Sequence, residues 1–424
     1  MTPFLVSSGA LFVLGVPIAL AMSAGALLYL WLSNNLLLIG PATWFAGLDK
    51  APIMAIPFFI LAAEILSRGG AVARLVAAID SLIGHVRGGL AVVAVVATMI
   101  FSAVSGSSIA TAAAVGIVLI PQMLERGYPE RFVLGLIAAA GGLGILIPPS
   151  VPLIIYGTVT GESVGKLFQA GILPGLMIAG LLCAFAVFEA HRRGLESRPP
   201  DTWRARGHAL WQAKAILTFP VVILGSIYGG IFTPSESSAL AVVYALVITL
   251  RTYLAMGLAE LFTVLVSACA TTAAILMILA AAALFGYAVT LSGLPQLIVD
   301  WITSLGLGTM GFLFLINAVF IVLGMFLEII SIILITLPIL YPLLAVFGVD
   351  PIHFAIIMVV NMELAVITPP IGLNLFAIAA IARRQVKDLF LGVIPFYGVI
   401  FVGLVVVTTV PAISLLLVRL FPIG

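Results

Sequence analysis

The sequence predicts an all-α polytopic membrane protein built from two inverted-topology repeats, and three observations lead there. Of 424 residues, 63% are hydrophobic and only 8% are charged, too little polar character to coat a soluble globule. Apolar stretches of about 20 residues, enough helix to cross a hydrocarbon core of roughly 30 Å, recur from end to end. The second half also repeats the punctuation of the first. Residues 121–150, PQMLERGYPERFVLGLIAAAGGLGILIPPS, align without a gap on 342–371, PLLAVFGVDPIHFAIIMVVNMELAVITPPI, at a constant offset of 221. Pro121 falls on Pro342, Gly127 on Gly348, Leu143 on Leu364, and Pro148-Pro149 on Pro369-Pro370. Upstream, GVPIALAMSAGALLYLWL resembles FTPSESSALAVVYALVIT, with Pro17 facing Pro234. The repeats are therefore residues 1–188 and 215–424. Between them, 189–214 is the longest polar stretch and the richest in Arg, a linker that the positive-inside rule assigns to the cytoplasm.

The elements follow in order. Residues 1–33 read either as two helices or as a single helix over 4–32. The loop at 68–88 carries Arg68, Arg74 and Arg87 on the cytoplasmic side. Next comes a re-entrant hairpin over 89–123, because its arms GLAVVAVVATMIFSA and IATAAAVGIVLIPQM have 15 residues each. At roughly 22 Å, such arms are short for a crossing. VSGSS at 104–108 forms the tip. A broken helix over 132–160 ends at the outer loop TGESVGK, and 167–188 returns to the linker. The second half mirrors this with an outer loop at 292–308, a hairpin over 309–343 and a broken helix over 353–381, ending at RRQVK inside. Each repeat thus has about five spanning helices besides its hairpin, and an odd number of crossings inverts the second copy. Of the 18 Lys and Arg, only Lys50, Lys166 and Arg419 then face outward.

Several function classes are excluded. A net charge of +2 gives no basic patch for nucleic acid, and the Lys and Arg sit between apolar segments as topology signals do. Cys183 and Cys269 stand alone in apolar helix, as packing residues. The N-terminus lacks the basic region of a signal peptide and reads as mature membrane helix. With no Gly-Lys-Ser/Thr phosphate loop, the chain does not use ATP itself. SGSS invites comparison with an intramembrane serine protease, but none of His85, His191, His208 and His353 lies deep in an apolar segment where it could act as base. No enzyme and no cofactor is expected.

Backbone freed from helix inside lipid costs several kcal/mol per unsatisfied group, so it occurs where protein or a water-filled cavity surrounds it. Four such places are expected: the hairpin tips at SGSS and GMFLEII, and the breaks at LIPPS and ITPPIGLN. Paired breaks in transporters of repeated topology meet near the midplane, where helix N-termini favour anions and freed carbonyls favour cations. Ser105, Ser107 and Ser108 supply hydroxyls around Gly106. Glu328 aligns with Ser107 and Glu363 with Gly142, putting a carboxylate beside each irregular segment of the second half. Asn361, Thr368 and Asn374 add oxygen and amide groups around the second break.

SGSSIATAAAVGIVLIPQMLERGY, AAGGLGILIPPSVPLIIYG, AGILPGLM, YGGIFTPSESSALAVVYALV, GMFLE and VDPIHFAIIMVVNMELAVITPPIGLNLF together resemble the large membrane subunit of TRAP transporters, the tripartite ATP-independent periplasmic systems. The resemblance spans nearly the whole chain. It implies a sodium-driven importer of small organic acids in the bacterial inner membrane, working by an elevator movement of a transport domain against a scaffold. It also implies two partners, a small four-helix membrane subunit and a periplasmic substrate-binding protein. Carried onto this sequence, the first sodium would lie between Ser105-Gly106-Ser107 and the break at Gly142, Ile145 and Pro148. The second would lie between Gly324 to Glu328 and the break at Thr368, Pro369 and Pro370. Substrate would sit near Ser107, Ser108, Glu328 and Asn374, although Glu328 suits a cation better than a carboxylate. NMELAVITPP and FLEIISIILITLPILYP look more like members handling four-carbon dicarboxylates than those handling sialic acid. The alternatives are a free-standing ion-coupled dicarboxylate symporter and a noncatalytic scaffold or channel.

Overall fold

The computed structural model describes residues 2–33, 38–195, 199–252, 256–369 and 371–422. The first half comprises α1 (Thr2–Val13), α2 (Ile18–Leu32), α3 (Ile39–Leu48), α4 (Ala55–Arg68), α5 (Ala71–Ile83), α6 (Gly89–Ser105), α7 (Ser108–Glu125), α8 (Glu130–Gly141), α9 (Leu143–Leu146), α10 (Val151–Thr160) and α11 (Val164–Arg192). The second comprises α12 (Trp203–Tyr228), α13 (Pro234–Leu246), α14 (Leu258–Leu291), α15 (Leu294–Ser304), α16 (Thr309–Gly324), α17 (Ile329–Val346), α18 (Pro351–Ala365), α19 (Leu373–Ala382), α20 (Val386–Thr409) and α21 (Ala412–Leu420). No strand occurs among the described residues.

Both halves place a hairpin, α6–α7 or α16–α17, before a segment broken in the middle, α8–α9–α10 or α18–α19. The two broken segments run antiparallel, as three contacts along their length establish. Glu130 at the start of α8 pairs with Arg384 beyond the end of α19 at 2.6 Å. Ala138 O accepts from Asn374 Nδ2 at 3.1 Å, and Tyr156 OH in α10 donates to Pro351 O at the start of α18 at 2.7 Å. At the centre, a Cβ added to Gly142 would lie 3.2 Å from Glu363 Cβ. These two residues are separated by the same 221 positions that align the two halves in sequence.

Polar caps and glycine set the ends of these pieces. Ser107 caps α7 by accepting from Ala110 N, Ser150 caps α10 from Leu153 N, and Asp350 caps α18 from Ile352 N and His353 N. Each cap is worth about 1 kcal/mol. Long α11 and α20 pack on the broken segments, while α14 packs along α2, α3 and α4 as a wall beside them. Large apolar side chains such as Trp31, Phe45, Phe262 and Trp301 remain exposed on the outside, the arrangement lipid permits and water penalises.

Several expectations need correction. The arms of the first hairpin are 17 and 18 residues long rather than 15, and those of the second are 16 and 18; α7 and α17 are among eight segments of the described residues long and apolar enough to cross a bilayer. Six of these eight lie outside the hairpins, and shorter apolar helices such as α2, α13, α18 and α19 stand beside them. The N-terminal residues form two helices, with Gly15 at φ 77 between them. A Cβ on Gly25 would meet Ser8, so α1 and α2 fold back on each other. The regions 68–88 and 292–308 are not simply loops: α5 and α15 occupy most of them. The polar linker is largely helical too, since α11 continues to Arg192 and α12 starts at Trp203.

Candidate substrate and cation site

The first tip is built around Gly106, whose φ of 62 belongs to the left-handed region and whose added Cβ would lie 2.8 Å from Pro149 O. Glycine is therefore required twice, for the turn and for the approach. The break meets this tip through backbone. Val151 N donates to Gly106 O at 3.5 Å, and a Cβ on Gly144 would lie 2.5 Å from Ser107 O. Within the tip, Ser105 Oγ donates to Ser107 O at 3.3 Å. Ser150 Oγ donates to the freed Ile145 O, and the Pro148-Pro149 bond is cis.

The second tip uses the same plan with other residues. Ile371 N donates to Met325 O at 3.3 Å, a Cβ on Gly324 would lie 2.2 Å from Ala365 Cβ, and Thr368 Oγ1 donates to Leu364 O at 2.6 Å. Glu328 stands at the N-terminus of α17 in an extended conformation. Each tip thus receives a backbone hydrogen bond from the residue just beyond its break.

Both tips border one cavity of about 680 Å³. Ser105, Gly106, Ser107 and Ser108 line it from the first tip, Glu328 from the second, and Ile145, Val151, Val366 and Leu373 from the breaks. Facing them across it are Glu64 and Ser67 of α4 and Thr271 of α14. Two carboxylates, and no Lys or Arg, are among its described lining residues. A second cavity of about 450 Å³ lies farther along the wall, between the later part of α14 and the ends of α10 and α17. Its only charged lining group among the described residues is Lys50, whose Nζ donates to Thr158 O at 2.7 Å.

The structure thus gathers Ser105, Gly106, Ser107, Ser108, Ile145 and Glu328 around one space. Gly142, Pro148, Gly324, Thr368 and Pro369 pack behind it without lining it, and Pro370 lies outside the described residues. Asn374, expected at the substrate, is instead fully buried behind the break and committed to Ala138 O. Asn361 turns away as well, donating to Asn317 O and Oδ1 at 3.0 and 2.9 Å. Glu64 was missed. A lone carboxylate inside AIPFFILAAEILSR carries the same signal that singled out Glu328 and Glu363. Its Oε1 accepts from Ser267 Oγ at 3.2 Å, tying α4 to α14.

Residues 5–413 match the family described as tripartite ATP-independent periplasmic transporter, DctM component. The chain belongs to that family. It is similar to the C4-dicarboxylate TRAP transporter large permease protein of Pseudomonas aeruginosa, with 42% identity over 88% of this chain and 87% of the relative. With the isethionate TRAP transporter permease protein of Oleidesulfovibrio alaskensis it shares 38% identity over 97% of its own length, but spans 66% of that relative. Among solved structures, the YdaH transporter of Alcanivorax borkumensis has a TM-score of 0.66 at 14% identity, covering 88% of each chain. That likeness concerns the fold alone. A TRAP large permease of this kind is the subunit of a secondary transporter, not an enzyme, and a multi-pass protein of the bacterial inner membrane.

Proposed function

We propose that this subunit imports small organic acids, four-carbon dicarboxylates among them, in symport with sodium. The observation that carries the reading is the single cavity shared by both hairpin tips. Its described lining has two carboxylates and no cationic side chain, so an anionic substrate needs positive charge from elsewhere. Sodium ions held by carbonyls and hydroxyls at the tips supply it. Ser105 to Ser107 with Ile145 form one such place, and Met325 to Glu328 with the second break form the other.

The cavity lies between the body of hairpins and broken segments and the wall of α4 and α14, which supports an elevator movement of that body along the wall. With the Arg-rich junction in the cytoplasm, the cavity holding the tips lies toward the inner end of α4 and the Lys50 cavity toward the outer end. This favours an inward-facing state. We further assign residues 1–188 and 215–424 to two inverted repeats, and expect a small four-helix membrane subunit and a periplasmic binding protein as partners.

The test is reconstitution in proteoliposomes with both partners and a panel of labelled C4-dicarboxylates, isethionate and neutral controls. Saturable uptake that requires an inward sodium gradient is expected. Uptake unchanged when potassium replaces sodium would sink the coupling, and flux without saturation would indicate a channel.

A further inference from the structure

Glu363 has no exposed surface, and no donor reaches either of its carboxylate oxygens. An ionised carboxylate in that condition is far too costly to stand alone in the interior. It needs a positive partner, yet none of the described ion pairs involves it. It does not line the cavity of the tips either, so substrate does not provide the charge.

Its surroundings suit a cation. Gly142, the equivalent position in the first half, packs directly against it, and a side chain there would begin 3.2 Å from Glu363 Cβ. The adjacent Gly141 faces Asn374, whose Nδ2 would be 3.2 Å from an added Cβ. Asn374 N donates to Val366 O at 3.0 Å, fixing this residue within a turn of Glu363. The amide hydrogens of Asn374 point to Ala138 O, and its Oδ1 has no donor. Glu363 Oε1 and Oε2 and Asn374 Oδ1 are therefore three buried acceptors without donors, on side chains packed against the adjacent glycines Gly142 and Gly141. Hard cations take oxygen sets of this kind.

We infer that Glu363 and Asn374 hold a sodium ion inside the body of hairpins and broken segments, at a place separate from both tips. The inference rests on the sodium-coupled reading above. Its consequence is that one ion travels buried behind the substrate rather than beside it, with the glycine turn Gly141-Gly142 as its floor.

Radioactive sodium binding to the full-length protein in detergent tests this, with sodium alone as the probe. Glu363→Gln keeps the shape and removes the charge. The expected result is loss of one sodium ion per chain, or a fall of about tenfold or more in affinity for it, with the sodium bound at the tips retained. Wild-type sodium stoichiometry and affinity in a monodisperse Glu363→Gln protein would overturn the site, and a proton would then be the neutralising charge. If wild type binds no sodium at all, the coupled reading itself fails. Should Glu363→Gln not fold, Glu363→Asp keeps the charge and draws it back by one methylene. A clear loss of sodium affinity in that variant supports the site, and unchanged affinity overturns it.

Discussion

The two hairpin tips share a geometry but not a chemistry. Each leans on its break through one backbone hydrogen bond, from Val151 N to Gly106 O in the first and from Ile371 N to Met325 O in the second. The first is hydroxyl-rich and electrically neutral, turning through a left-handed glycine. The second has no serine between Gly324 and Glu328 and presents a carboxylate. The two tips therefore agree in where the chain breaks and differ in what the break offers, so the two ends of the cavity present different chemistry. On the proposed cation sites, the neutral tip would depend on placement of carbonyls and hydroxyls and the charged one on Coulomb attraction.

Three substitutions separate these dependences. The largest effect belongs to Gly106→Ala, which forces a side chain into a left-handed turn against Pro149 O. Strain of about 2–3 kcal/mol is expected, and sodium-driven uptake in proteoliposomes should fall by about a hundredfold while the protein still inserts. Next, Glu328→Gln should raise the sodium concentration for half-maximal uptake by about tenfold with little change in melting temperature. An unchanged sodium dependence would show that the charge serves structure alone. The smallest belongs to Ser107→Ala, which removes a proposed ligand hydroxyl and a cap worth about 1 kcal/mol. Sodium activation should weaken about fivefold, and a wild-type curve would remove Ser107 from the ion site.

Hairpins and breaks were legible in the sequence because glycine and proline are conspicuous in apolar surroundings, and the offset of 221 gave each a counterpart. Length misled where charge was read as loop. Arg74 belongs to α5, where Val72, Leu75, Val76 and Ile79 are buried at helical spacing, a period that AVARLVAAIDSLI does contain. The family resemblance implies Asn374 near the substrate, but a motif does not give the side of the helix, and the Asn374 side chain turns to Ala138 O. Glu64 sits in a regular helix on the far wall of the cavity, where no adjacent glycine or proline marks it in the sequence. Which oxygens face inward depends on packing between halves, beyond the reach of local pattern.

The contact between Gly142 and Glu363 constrains how the halves can resemble one another. Two identical segments meeting at this point would have to set identical side chains against each other. Two glutamates would collide and leave a pair of like charges in the dry interior, while two glycines would leave no carboxylate there at all. An acidic group at this point is possible only when one copy carries it and the other gives way. Here the difference between the two aligned positions is a steric condition for placing a carboxyl group in the buried interior.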